Sequence, residues 1–194
     1  QQSKGLELIQ QRFGLPSLPH RIECFDISNF QGDDNVASQV VFEDGLPRRD
    51  EYRRYKIKTV EGANDFAAMK EVLTRRFLHT EYEDPDLVVV DGGKGQLNMA
   101  VAALKEVGRA DIPLVGMAKA RTQGEFHDQE VATTQERFFL PGRQNPLMFQ
   151  NNSEALHILV GIRDEAHRFA ITFHRKLRED RTLASVLDGI TGLG

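Results

Sequence analysis

The stretch PDLVVVDGGKGQ, residues 85–96, decides the fold class. Its aliphatic run Leu87–Val90 has no polar alternation and reads as a strand covered on both faces, as in a sheet with helices on each side. Asp91 closes the run, and Gly92-Gly93-Lys94-Gly95 opens a turn into a helix. A carboxylate therefore sits at the carboxyl end of a buried strand, where open α/β sheets hold their ligands. The glycines let backbone approach a phosphate, and Lys94 adds a positive charge at the helix start. A nucleoside-triphosphate loop is excluded, because G-x-x-x-x-G-K-[ST] needs glycine where Val88 stands and a hydroxyl where Gly95 stands. The alternative is a tight strand–helix turn with an aspartate cap.

Upstream, RIECFDIS (21–28), VASQVVFE (36–43) and EYRRYKIK (51–58) read as strands. QGDDN (31–35) and EDGLP (43–47) supply turns, so the three strands form an antiparallel meander. A lead-in helix over 3–12 precedes them, ended near Gly14 and Pro16. Asn64 is the N-cap of a helix over 64–78, in which Phe66, Met69, Leu73 and Phe77 recur at helical spacing. A second helix spans 95–107, IPLVGMA (112–118) is another buried strand, and ERFFL (136–140) a further short one. A long helix starts at Ser153, with the stripe Ala155, Leu159, Ile162, Ala166, Phe169, Phe173 and Leu177. The order βββ-α-β-α-β-(β)-α predicts an α/β mixed sheet flanked by helices. That is the ribonuclease H-like order, in which the first and fourth strands are central neighbours. Asp26 and Asp91 then meet despite lying 65 positions apart.

Length and composition fit one globular domain: 194 residues, 40% hydrophobic and 28% charged. No apolar run approaches the ~18 residues of a membrane span. The single cysteine, Cys24, cannot form an internal disulfide, which suits a reducing cytoplasm. Net charge is −4, so nucleic-acid binding has no global signature. Locally, RRDEYRRYKIK (48–58) holds six basic residues against two acidic, and RKLREDR (175–181) four against two. Such runs permit DNA contact, although a solvated face is the plainer reading. The chain reads as an excised fragment: residues 1–19 a lead-in helix or linker, 20–182 the domain, 183–194 a linker.

Strand-end carboxylates joined by a helix-borne ligand can assemble a divalent-metal site that cleaves phosphodiesters. Asp26 lies within its strand, where a carboxylate is costly to bury unless paired or metal-bound. Its alternative role is a turn former at Ser28-Asn29. The last helix offers Asp164, Glu165 and His167, and Arg163, His167, Ile171 and His174 share one side of it. His167 is read either as a ligand or as a hydrogen-bonded boundary residue. Asp65, at a helix start, is a fourth carboxylate or simply a residue favoured by the helix dipole. Oxygen ligands point to Mg²⁺ or Mn²⁺, and the single cysteine and scattered histidines exclude a zinc site.

At RIECFDISNFQG (21–32), YRRYKIK (52–58), LVVVDGGKGQL (87–97) and IRDEAHRFAITFHRKLR (162–178) the chain resembles the carboxyl-terminal half of the UvrC family. UvrC is the incision subunit of bacterial nucleotide excision repair. The resemblance implies a ribonuclease H-like endonuclease with Asp26, Asp91 and His167 as catalytic and metal-binding triad, and Asp65 tied to activity. It implies a 5′ incision on damaged double-stranded DNA, made on the UvrB–DNA complex, with no membrane partner and a monomeric fragment. Lys94, Arg163, Arg168, Arg175 and Lys176 are the expected DNA contacts. The closing GITGLG resembles the start of a helix-hairpin-helix module. Two departures are Asn29, where many members carry histidine, and a long segment over 119–135. A rival expectation is a non-catalytic DNA-binding module on the same fold. A third is a phosphate-binding enzyme using the glycine-rich turn alone.

Overall fold

The structure is a computed structural model that describes residues 2–30, 34–58, 64–119 and 135–191. In chain order the elements are α1 (Gln2–Phe13), β1 (Arg21–Phe30), β2 (Asp34–Glu43), β3 (Leu46–Pro47) and β4 (Arg53–Lys56). Then follow α2 (Asp65–Leu78), β5 (Leu87–Asp91), α3 (Lys94–Glu106), β6 (Leu114–Lys119), β7 (Glu136–Phe139) and α4 (Glu154–Thr191). The sheet order is β3-β2-β1-β5-β6-β7, with β4 also paired to β2. β1, β5 and β6 run parallel and the outer strands antiparallel. The mixed ribonuclease H-like sheet expected from the element order is therefore present, with the strand of Asp26 beside that of Asp91. The extended segment at 119–135 falls mostly outside the described residues.

Alternation along the strands builds two cores. Ile22, Cys24, Val40, Phe42, Leu87, Val89, Val115 and Met117 face α1 and α4. Phe25, Ala37, Val88, Val90 and Leu114 face α2 and α3. Leu87–Val90 are all fully buried because helices cover both sides, which is why their run shows no polar alternation. Asn64 caps α2 by accepting a hydrogen bond from the Ala67 backbone at 3.1 Å. Among the described residues no helix is long and apolar enough to cross a membrane.

Two ends differ from the sequence reading. The α1 side chains Leu6, Ile9 and Phe13 are buried in the same core as α4, so this helix packs into the domain rather than leading up to it. At the other end, α4 passes residue 182 without a break and runs to Thr191. No proline interrupts it, and the buried stripe moves from Ala166 to Ala170 instead of Phe169. Beyond that point Leu183, Val186 and Leu187 are exposed and the helix leaves the sheet.

Candidate active site

Register brings the two aspartates together. On β1, Ile22 and Cys24 face α4, so the period of two puts Asp26 on that face as well. On β5, Leu87 and Val89 do the same for Asp91. The parallel pairing runs from Ile22↔Leu87 to Phe25↔Val90, and one further step sets Asp26 beside Asp91. Above them α4 seats Ala166 against the sheet, which places the next residue, His167, over the pair. His167 Nε2 lies 2.5 Å from Asp91 Oδ2. One ligand atom from each of Asp26, Asp91 and His167 lies within 4.8 Å of the other two.

The turn after Asp91 is held tightly. Gly92 has φ +154° and donates its N–H to the Met117 carbonyl at 2.9 Å. Behind it Gly116 leaves no room, since a Cβ there would lie 2.9 Å from the Gly92 oxygen and 3.2 Å from the Gly93 oxygen. Two glycines in sequence and a third on the neighbouring strand thus fix where Asp91 ends its strand.

Electrostatics fit a hard cation. Asp26 is only 9% exposed, and its carboxyl is pushed up to about 7, first by burial and then by the Asp91 charge. The Asp91 hydrogen bond raises the His167 pKa against the opposing effect of burial. Two carboxylates that repel each other beside an imidazole form a donor set that a divalent cation relieves. Asp65 is exposed at the start of α2 and stands outside this trio, although its charge still contributes to raising Asp26.

The other expected residues separate. Arg163, expected on the DNA-contacting surface, is 3% exposed and grips Glu136 of β7 through Nη1 at 2.5 Å and Nη2 at 2.8 Å. Burial opposes its charge, but the Glu136 bonds raise its pKa overall. Its guanidinium is therefore committed inside the protein, and its charge supports the site from behind. Glu136 carried no sequence signal, because nothing in a short strand marks which partner a distant helix brings. Asp164 is exposed, and Glu165 accepts bonds from Tyr52 and Arg168, so neither joins the trio. Lys94 is exposed at the α3 start, its Nζ 3.4 Å from the Gln144 carbonyl. Arg168, Arg175 and Lys176 are exposed on α4. A further contact was not anticipated: His174 Nε2 meets Ser28 Oγ at 2.8 Å, tying α4 to β1 two residues beyond Asp26. The seven-residue interval between His167 and His174 was the only hint of it.

Comparison with known proteins agrees with this fold. Residues 10–171 match a family described as the UvrC RNase H endonuclease domain. UvrABC system protein C of Bdellovibrio bacteriovorus is 67% identical over 191 residues, covering 98% of this chain and 30% of that protein. The protein of the same name from Trichlorobacter lovleyi is 50% identical over 195 residues, covering 98% and 32%. The chain thus spans about a third of the length of these relatives. Among solved structures, Ciona intestinalis endonuclease V, in complex with a 24mer DNA containing inosine, superposes with TM-score 0.53 at 13% identity, covering 90% of this chain and 96% of that one. The catalytic domain of human endonuclease V gives 0.50 at 15% identity, covering 86% of each. At such identities these two structures speak for the fold alone.

Proposed function

Because the chain belongs to the UvrC RNase H endonuclease domain family, we propose that it is a divalent-metal-dependent DNA endonuclease domain. In this reading it makes the 5′ incision on damaged double-stranded DNA during nucleotide excision repair, on DNA already carrying UvrB. The observation that carries it is the convergence of Asp26, Asp91 and His167 within 4.8 Å. These residues would hold Mg²⁺ or Mn²⁺. A bound ion of this kind polarises phosphoryl oxygen and lowers the pKa of water. Asp26 and Asp91 supply the negative oxygens, and the rigid Gly92-Gly93 turn fixes the second of them. His167 completes the set or accepts a proton, and either role requires its neutral form. Asp65, at the rim, adds negative charge without joining the trio. Arg163, locked to Glu136, keeps positive charge beneath Asp91. Lys94 is placed to meet backbone phosphate and reads no bases.

The test is incision of a lesion-bearing, end-labelled duplex by the complete repair complex, with Asp91→Asn or His167→Ala in this domain. Both variants are expected to lose the 5′ cut while retaining the fold. Wild-type 5′ cutting by folded Asp91→Asn protein would refute the assignment. Calorimetry with Mn²⁺ separates the remaining alternative: a non-catalytic DNA-binding module would show no binding that depends on Asp26 and Asp91.

A further inference from the structure

The last helix carries its basic residues in different directions, and the directions are not equivalent. A helix turns about 100° per residue. Taking His167, which points into the metal site, as zero, His174 lies within roughly 20° of it and Arg178 within roughly 20° on the other side. Lys176, nine residues on, points about 180° away. Contacts bear this out. His174 meets Ser28 on the strand of Asp26. The far flank carries Glu165 against Tyr52, and Phe169 and Phe173 under the Arg54 guanidinium at 3.8 and 4.7 Å. Of the two acidic residues between Arg163 and Arg178, Glu165 points about 160° from His167, and Asp164, about 60° off, stands at the margin of this flank beside Arg163; none follows from Ala166 to Arg178. Arg178 lies close enough to His174 for its charge, after burial, to help lower the imidazole pKa. Among the described residues no carboxylate forms an ion pair with Arg178, whereas Arg163 and Arg168 each hold one.

We infer that this flank of α4 is a track for the backbone of the DNA strand being cut, with Arg178 as a phosphate-positioning residue and the Ser28–His174 contact as the strut that holds the track in line with the metal site. The inference rests on the endonuclease reading above and adds where the substrate lies. Along α4, His174 is roughly 10 Å and Arg178 roughly 16 Å from His167, at about 1.5 Å per residue. Successive phosphates of one strand rise about 3.4 Å along the axis but, because the strand winds, stand roughly 7 Å apart in space, so Arg178 meets a phosphate about two to three nucleotides from the cut. A cationic edge with no acidic residue from Ala166 to Arg178, continuing from the site itself, is complementary to that backbone. The apolar Ile171, half exposed on the same side between His167 and His174, is placed to face the sugars of that strand.

The test compares two charge removals two residues apart on one helix: Arg178→Gln and Lys176→Gln. Binding of the chain to a fluorescein-labelled duplex of about 30 base pairs is measured in Ca²⁺ across a salt series. Arg178→Gln is expected to weaken binding roughly tenfold, as for loss of one charge-assisted phosphate contact. It should also flatten the slope of log affinity against log salt by about 0.9. Lys176→Gln should stay within about twofold, and Arg178→Lys should recover most of the affinity by restoring the charge. Equal losses in the two Gln variants, or no salt-dependent binding by the wild-type chain, overturn the track. Mn²⁺ binding should be the same in wild type and Arg178→Gln. A failure of the metal-site reading shows itself there, as Mn²⁺ binding indifferent to Asp91, and leaves the paired DNA comparison standing.

Discussion

Replacing Asp26 with asparagine should make the metal-free protein more stable, at the expense of its metal response. The Asp26 carboxyl stands at about 7 in the folded protein against an ordinary 3.8, with burial the first cause and the Asp91 charge the second. A carboxyl raised on folding binds its proton more tightly in the folded state. Stability contributed by this group is therefore highest below about pH 4 and falls as pH rises from about 4 to 7. A rise of that size corresponds to at most about 4 kcal/mol at pH 8. His167, also raised on folding, acts in the same direction, losing its contribution as pH climbs past its ordinary 6.5. The asparagine side chain removes the charge while keeping the shape. In EDTA at pH 8, Asp26→Asn should gain about 2–4 kcal/mol, or roughly 10 °C in Tm for a domain of this size. At pH 4.5 the difference should shrink to about 1 kcal/mol or less. Mn²⁺ at about a thousandfold its Kd should cancel or reverse the difference, because it then adds about 4.1 kcal/mol to the protein that binds it. Thermal melts of both proteins, with and without Mn²⁺ at the two pH values, decide the matter. If metal-free Asp26→Asn melts at or below wild type at pH 8, the picture of two carboxylates repelling in a buried site is wrong.

Two structural consequences follow from the same packing. Gly116→Ala drives a Cβ into the Gly92 and Gly93 carbonyls and the Leu97 side chain; urea melts should show a loss of about 1–3 kcal/mol, and Mn²⁺ affinity should fall because Asp91 moves with the turn. Glu23, buried on the opposite face of β1, binds Arg76 at 2.8 Å through both oxygens and Arg21 at 3.0 Å. Glu23→Gln leaves the buried Arg76 charge without its anion and should cost about 3–5 kcal/mol by chemical denaturation, with the remaining metal site intact in molecules that still fold.

The strands and helices were legible because their signals are local. The turns at 31–35 and 43–47 marked off the strand pieces around them, the bare aliphatic run marked β5, and the cap at Asn64 marked α2. Element ends were less so. The α4 stripe looked finished at Leu177, but a helix with no proline and good helix-forming residues continues into solvent without needing a core to bury against. Arg163 misled for a different reason. Its place in a basic motif says nothing of burial, and only the approach of β7 supplies Glu136 to neutralise it.

By itself the sequence determined which residue types end which strands, and, through the period of two, that Asp26 shares a face with Cys24 and Asp91 with Val89. It also determined, through the helical period, that His167, His174 and Arg178 look one way and Lys176 the other. The tertiary structure decided the rest: the parallel register that carries Asp26 to Asp91 across 65 residues, the seating of Ala166 that drops His167 onto them, and the Ser28–His174 contact. Periodicity is a property of neighbours along the chain, so it can be read one residue at a time. Register and helix seating are settled by how two faces bury against each other, and that depends on every side chain between them.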